Sequence, residues 1–321
     1  MKAFINITLV ASLAPLAAQA QIVTDNLKQE LNADDIGALT DGSKWRSRTG
    51  TYAILNDIGA GGNITKVAAT VNGGQTSSLF SNTLSTDSYR RAGSLGATTS
   101  PLTGTTLSVE LWINTGFTGF PATSHTIFET GGSTRGLSIT LGDNGSGVKN
   151  TLRFAMKDGS NSQFVDVTLD AAAMAKFTND DHHQLVVTYD NKNNLSTMAI
   201  YIDGALVGSS TETGEIDWDG TSSAGFWGQD GEGSGAESIG LDHDALTLQS
   251  ARGEGSIAVF RHYSDVLTAE ELRQNYTSTL PEPGTAEELR KNYKATIPEP
   301  GMTALLAGCF ALTSIMVRRR R

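Results

Sequence analysis

The stretch Thr197-Met198-Ala199-Ile200-Tyr201-Ile202-Asp203-Gly204-Ala205-Leu206-Val207-Gly208-Ser209 reads as two short strands joined by a tight turn. Asp203 and Gly204 tolerate the positive backbone angles that a two-residue turn demands, so residues 197–202 and 205–209 should pair directly and antiparallel. That hairpin sets the pattern for the rest. Residues 108–113 alternate, with Val109, Leu111 and Ile113 on one face and Glu110 and Trp112 on the other, as expected for a half-buried strand.

Working outward, residues 136–141 and 151–157 flank Asp143-Asn144-Gly145, which predicts a hairpin with an elaborated loop. Residues 164–169, 184–189 and 256–262 continue the strand signal, and helical periodicity is almost absent before Ser264. Roughly 280 residues lie between Gln21 and Gly301, rich in Gly, Ser and Thr and without a proline-rich linker before Leu280. One all-β domain accommodates that length. The expected fold is an antiparallel jelly-roll sandwich of two packed sheets.

Five segments in order, Ser108-Val109-Glu110-Leu111-Trp112-Ile113, Thr126-Ile127-Phe128-Glu129-Thr130-Gly131-Gly132, His182-His183-Gln184-Leu185-Val186-Val187-Thr188-Tyr189-Asp190, Ala199-Ile200-Tyr201-Ile202-Asp203-Gly204 and Gly255-Ser256-Ile257-Ala258-Val259-Phe260-Arg261, resemble the LamG, or concanavalin A-like, jelly-roll domain. The resemblance covers roughly residues 107–276. Residues 31–100 fit more loosely, with Leu31-Asn32-Ala33-Asp34-Asp35-Ile36 resembling an opening strand and turn. Such domains often carry Trp before the paired histidines, where this chain has Asp181. The resemblance implies binding of glycans or proteins, often through calcium in loops at the sandwich rim, but the same fold hosts lectins, adhesins and hydrolases.

Both ends differ from the body of the chain. Residues 1–20 begin with Lys2, continue apolar and close on Ala18-Gln19-Ala20, the small-x-small form that signal peptidase cuts, so Gln21 is the expected first residue. A retained N-terminal helix is the alternative. At the other end Pro298-Glu299-Pro300-Gly301 precedes sixteen uncharged residues, 302–317, and then Arg318, Arg319, Arg320 and Arg321. This order resembles the PEP-CTERM sorting signal of Gram-negative bacteria. The resemblance implies secretion, transient anchoring in the inner membrane by one C-terminal transmembrane helix, cleavage by an exosortase-type processing enzyme, and passage to the cell surface or beyond.

The physics of the tail agrees with that reading. Sixteen helical residues span about 24 Å against a hydrocarbon core of roughly 30 Å, so crossing needs help from snorkelling arginines. Basic residues stay on the cytoplasmic side and place the preceding chain outside. A permanent anchor without cleavage and a soluble amphipathic tail are the competing readings, and the second lacks a polar face.

Charge and cysteine usage narrow the function. The chain has 24 basic and 34 acidic residues, and loss of Lys2 with the four terminal arginines leaves 19 against 34, a formal charge of −15. Nucleic acid is a poor partner for such a surface. The sole cysteine, Cys309, lies in the apolar tail, so the exported body has no disulfide of its own.

Residues 193–250 contain no Lys or Arg but ten carboxylates, interrupted by glycines at 220, 225, 228, 231, 233, 235 and 240. Calcium takes six to eight oxygens in flexible geometry, which a Gly-rich acidic loop supplies, and Asp217, Asp219, Asp230 and Glu232 are the candidate ligands. The loop lacks EF-hand spacing, and a merely solvated acidic loop is the competing reading.

Trp218 and Trp227 in the same loop are candidates to stack on sugar rings. Trp112 reads instead as sheet packing. Glu215-Ile216-Asp217-Trp218-Asp219 resembles the Glu-x-Asp-x-Glu strand motif of laminarinase-type glycoside hydrolases, but its last acid is the shorter Asp. The outer positions of such a strand stand about 13 Å apart, whereas retaining chemistry needs carboxyls about 5 to 5.5 Å apart. Asp219-Gly220 also reads as a turn, so no catalytic residue is assigned. His182 and His183 should point to opposite faces of a strand, one inward and one to water, and so should not share a metal. His125, His243 and His262 show no zinc spacing.

Before the tail stands a tandem repeat. Residues 268–284 read TAEELRQNYTSTLPEPG and residues 285–301 read TAEELRKNYKATIPEPG, seventeen residues each with thirteen identities. Thr268 with Glu271, and Thr285 with Glu288, form capping boxes that each start a short helix. Leu272 and Tyr276 of the first copy should pack on the sandwich, and the second copy should serve as a spacer. Only the second Pro-Glu-Pro precedes an apolar run, so processing is expected there.

The predicted organisation is a signal peptide (1–20), a LamG-like domain (21–280), a duplicated helical spacer (281–297) and a sorting signal with transmembrane segment (298–321). The expected protein is a non-catalytic surface or matrix protein that binds an extracellular glycan. Adhesion to another surface protein, and laminarinase-like hydrolysis, are the alternatives.

Overall fold

A computed structural model describes residues 21–36, 43–49, 53–58, 64–71, 74–81, 106–115, 124–131, 135–143, 147–158, 161–178, 181–192, 194–214, 216, 224–226, 251–252 and 255–278. The chain divides into two units, Met1–Thr279 and Leu280–Arg321, and every described residue belongs to the first.

In chain order the strands begin with β1 (Leu27–Asn32), β2 (Ser43–Arg46), β3 (Ala53–Ile58), β4 (Ile64–Val71), β5 (Gly74–Ser81) and β6 (Thr106–Asn114). Then come β7 (His125–Gly131), β8 (Arg135–Gly142), β9 (Thr151–Asp158), β10 (Asn161–Thr168) and the helix α1 (Ala171–Thr178). The chain continues through β11 (His183–Lys192), β12 (Leu195–Ile202), β13 (Ala205–Thr213), β14 (Ala224–Phe226), β15 (Ala251–Arg252), β16 (Gly255–Tyr263) and the helix α2 (Ala269–Ser278).

An eight-stranded sheet runs β13-β12-β11-β6-β16-β5-β4, with β1 on β16. A six-stranded sheet runs β10-β9-β8-β7-β14, with β15 on β7, and β2 pairs with β3. All pairs are antiparallel except the short β15 on β7. The antiparallel sandwich expected from the alternating runs is the observed architecture. Its core lies between the sheets, where Val109, Leu111, Leu137, Phe154, Val187, Ile200 and Phe260 pack in one cluster. The Phe128 and Phe260 rings meet across it at 5.4 Å.

The Asp203-Gly204 turn forms as read: both residues have positive φ, 51° and 73°, and Ile202 pairs directly with Ala205. On β13, Gly208 faces β10 so closely that a Cβ there would stand 2.3 Å from Val167 Cγ2. A side chain at that position would hold the two sheets apart.

Three local readings need correction. β6 is not half-buried: Ser108, Glu110 and Trp112 on its outer face are as buried as Val109, Leu111 and Ile113. A third layer causes this. Val23, Leu267 and Leu272 pack with Val186 and Tyr263 over the outer face of the eight-stranded sheet, and Tyr276 stacks on Trp112 at 5.7 Å. Burial of apolar side chains of this size stabilises by about 1.5–3 kcal/mol each. Leu272 and Tyr276 thus dock as predicted, and the capping box closes: Thr268 N–H donates to Glu271 Oε2 at 2.8 Å and Glu271 N–H to Thr268 Oγ1 at 3.3 Å.

The second correction is α1, a helix where none was expected. Asp170 Oδ1 accepts the Ala173 N–H at 2.8 Å as its N-cap, the run Ala171-Ala172-Ala173-Met174-Ala175 has high helix propensity, and Phe177 anchors it in the core. Thr115 Oγ1 donates to the Phe177 carbonyl. The third is His183, which does not face open water but bonds Asp203 in a half-buried setting.

Among the described residues no helix is long and apolar enough to cross a membrane. Residues 302–317 lie outside them.

Candidate functional site

The residues assigned to ligand binding from sequence, Asp217, Trp218, Asp219, Trp227, Asp230 and Glu232, lie outside the described residues, as does Glu215. So do Pro298, Glu299, Pro300, Arg318, Arg319, Arg320 and Arg321. What the structure describes is the chain just before Asp217 and just before Trp227. Ile216 is buried, and its N–H donates to Tyr189 Oη at 3.0 Å while that hydroxyl contacts its carbonyl at 3.0 Å. The Gly214 N–H donates to the Asn194 carbonyl at 3.1 Å, and Ser196 Oγ donates to the Gly214 carbonyl at 2.6 Å. Asp217 therefore follows directly on a backbone pinned to β11 and the β11–β12 turn. On the other side Phe226, paired with Phe128 of β7, immediately precedes Trp227.

The outer face of the six-stranded sheet carries polar side chains that are themselves largely buried, among them Thr126, Ser138, Thr140 and Arg153. Cross-strand register places Thr126, Thr140, Arg153 and Asp166 in one row, and Ser138, Ala155 and Phe164 in the next. Arg153 grips Asp166 with both arms, Nε to Oδ1 at 2.6 Å and Nη2 to Oδ2 at 2.7 Å, and its guanidinium lies 4.7 Å over the Phe164 ring. These positions alternate along each strand with the residues that face the core between the sheets.

Among the described residues Glu30 and Glu110 are buried and Asp203 is half-buried, and each is held. Glu110 Oε1 accepts from Trp112 Nε1 at 2.8 Å, Gln184 Nε2 at 2.9 Å and Arg261 Nη1 at 2.9 Å, while Oε2 accepts from Asn275 Nδ2 at 2.8 Å. A carboxylate has about four acceptor positions, so this one is saturated. Glu30 takes Arg261 Nε at 3.2 Å, with Arg48 Nη1 3.7 Å away. Burial disfavours the Arg261 charge, but Glu110 and Glu30 beside it hold its pKa above the ordinary arginine value.

Asp203 Oδ2 accepts from Lys176 Nζ at 2.6 Å and faces His183 Nδ1 at 3.0 Å, and its Oδ1 accepts the Gln184 N–H at 3.1 Å. Burial alone would raise the Asp203 pKa, but the hydrogen bonds and charges of His183 and Lys176 bring it below the usual value.

Ser256 Oγ stands 2.9 Å from His182 Nε2, the one serine–histidine pair with a nucleophile's geometry among the described residues. His182 Nδ1 faces the Thr70 carbonyl at 3.3 Å rather than a carboxylate, and both side chains are buried. Burial pushes the His182 pKa down to about 4, with the Thr70 carbonyl opposing and His183 adding to the shift. With the Val71–His182 bridge, the pair pins the end of β4 over the sheet. Among the described residues no three His, Cys, Asp or Glu side chains gather as a metal site.

The buried network under α2 was not foreseen. Its members are spread from Glu30 to Asn275, so no local spacing announces it. The available signal was a charge and a Trp alternating with core residues on β6, next to a helix carrying Asn275 and Tyr276 on its docking side.

No curated protein sequence matches the chain. Among solved structures it is similar to the botulinum neurotoxin type G receptor-binding domain, at 12% identity and TM-score 0.44, covering 78% of this chain and 51% of that one. The botulinum neurotoxin serotype C1 binding domain is similar at 14% identity and TM-score 0.44, covering 79% and 52%. A Ruminococcus gnavus IT-sialidase CBM40, solved bound to α2,6-sialyllactose, is similar at 15% identity and TM-score 0.38, covering 54% of this chain and 82% of that one. The chain spans about half the length of the botulinum domains it matches. Membership rests on the sequence instead. Residues 86–273, more than half of the chain, match the model of Laminin_G_3, described as the concanavalin A-like lectin/glucanases superfamily, and the chain belongs to that family.

Proposed function

We propose that this chain is an exported, non-catalytic recognition protein whose sandwich binds an extracellular glycan. The family embraces lectins and glucanases, and the observation that favours recognition is the state of the acids held within the described framework. Glu30, Glu110 and Asp203 are each engaged by arginine, lysine, histidine or amide donors, and none is left to act as a nucleophile or proton donor. Glycan contact is assigned to Trp218 and Trp227, and calcium to Asp217, Asp219, Asp230 and Glu232. Carboxylates in a Gly-rich loop are the donor set that ion prefers.

Delivery follows from the termini: signal peptidase removes residues 1–20, and an exosortase-type enzyme cuts near Pro298-Glu299-Pro300 after transient anchoring by residues 302–317. A glycan array probed with the purified protein tests the binding reading. Retention on defined oligosaccharides, lost in Trp218→Ala or Trp227→Ala, is the expected result. Binding to a surface protein with no response to any sugar overturns it in favour of adhesion.

A further inference from the structure

The groove that α2 fills is lined by Val23, Glu110, Trp112, Gln184, Val186 and Tyr263. The helix reads it with three side chains. Leu272 is buried against Val186 and Tyr263, and Tyr276 lies flat on Trp112, 11° from parallel. Asn275 makes three bonds: Nδ2 donates to Glu110 Oε2 and to Tyr263 Oη, both at 2.8 Å, and Oδ1 accepts the Val23 N–H at 2.7 Å. Thr268 and Glu271 fix where the helix starts.

Every one of these residues recurs seventeen positions later, as Leu289, Asn292, Tyr293, Thr285 and Glu288. Over the helical span the copies differ only at Gln274 against Lys291, Thr277 against Lys294 and Ser278 against Ala295. None of the three first-copy residues is buried. Gln274 donates to the Gln21 carbonyl at 2.6 Å, a bond that a lysine amino group can also make. Divergence of the duplicate is thus confined to positions the groove does not read.

We propose that this groove is a receptor for the repeat pattern itself, and that residues 285–295 can occupy it in place of α2. The first copy holds the resting position because of what precedes it: Leu267 is buried, and its N–H donates to Ser108 Oγ at 2.9 Å. Gly284 stands in the corresponding place before the second copy and has no side chain to bury there. The exchange moves one repeat from the tail side of the groove to a loop, shortening the reach between sandwich and terminal segment by up to about 3.5 Å for each residue transferred. Duplication then yields two settings of tether length from one docking surface.

Thermal unfolding of the full chain tests this. Leu272→Asp alone should lower the melting temperature by only a few degrees, because the second copy substitutes. Leu289→Asp alone should leave it unchanged, and the double variant should lose several times more than the two singles combined. A synthetic peptide of residues 285–295 added to the double variant should restore most of the loss, and the same peptide with Leu289→Asp should not. In a separate variant, Gln274→Lys, Thr277→Lys and Ser278→Ala together convert the docked helix into the second copy, and it should melt within about two degrees of the parent. Equal melting of the Leu272→Asp single and the double variant, no response to the peptide, or a large loss in the converted variant would each overturn the proposal.

Discussion

Replacing Glu110 by Gln changes one oxygen to nitrogen at the centre of the third layer. Gln Oε1 could still accept from Trp112, Gln184 and Arg261, but its amide nitrogen would face Asn275 Nδ2, a donor against a donor across the 2.8 Å that now holds a bond. Arg261, buried, would keep the carboxylate of Glu30 at 3.2 Å but lose the charge of Glu110. Breaking a buried pair by removing one partner costs about 3–5 kcal/mol, because the remaining charge is left short of compensation. At about 2–4 °C per kcal/mol for a domain of this size, the melting temperature should fall by about 6–20 °C.

Calorimetry of the parent, Glu110→Gln, Arg261→Met and the double variant supplies the measurement, with tryptophan fluorescence reporting the Trp112–Tyr276 stack. The double variant should lose less than the sum of the singles, by about 1 kcal/mol or more. A Glu110→Gln protein melting within about 2 °C of the parent would refute the network's role in fastening α2.

Acid should destabilise the sandwich through two buried histidines. Burial lowers His182 to about 4 and, with a contribution from Lys28, His262 to about 3, against 6.5 for an ordinary histidine. Above pH 6.5 neither contributes; below it the unfolded chain takes up protons that the native state refuses, so stability falls with pH until the folded values are reached. Each histidine costs about 1.4 kcal/mol per pH unit, so urea unfolding at pH 4.5 should show a loss of about 5 kcal/mol relative to pH 7.5. His182→Gln should remove about half of that slope, and a pH-independent unfolding free energy would contradict the assignment.

Gly208→Ala should destabilise by about 1–3 kcal/mol through its clash with Val167, and equilibrium denaturation showing no loss would mean the two sheets part freely there. Calcium should raise the melting temperature and a chelator lower it, in a manner abolished by Asp217→Asn with Asp230→Asn; identical melts with and without the ion would remove calcium from the loop.

The fold was legible where its rules are local. Asp203-Gly204 between apolar runs determines a turn and its pairing, and Thr268 with Glu271 determines a helix start, because both act over a few residues. α1 was legible too, in Asp170 followed by alanines, but strand-rich surroundings outweigh an eight-residue signal. The outer face of β6 was not. A buried Glu110 and a solvent-facing Glu110 have the same sequence neighbours, and what covers it arrives from Val23 at one end of the domain and α2 at the other. The candidate ligand residues are legible only as composition, since a Gly-rich acidic loop lacks the periodicity that would place each side chain.

The central claim is recognition without turnover. One sample decides it: the mature protein titrated with β-glucans and acidic heteropolysaccharides in a calorimeter, with new reducing ends counted afterwards in the same cell. Heat of binding with no new reducing ends, and loss of that heat in the Trp218→Ala and Trp227→Ala variants, is the predicted result. Reducing ends that accumulate with the parent and vanish with Glu215→Gln would contradict it and make the chain a glycoside hydrolase.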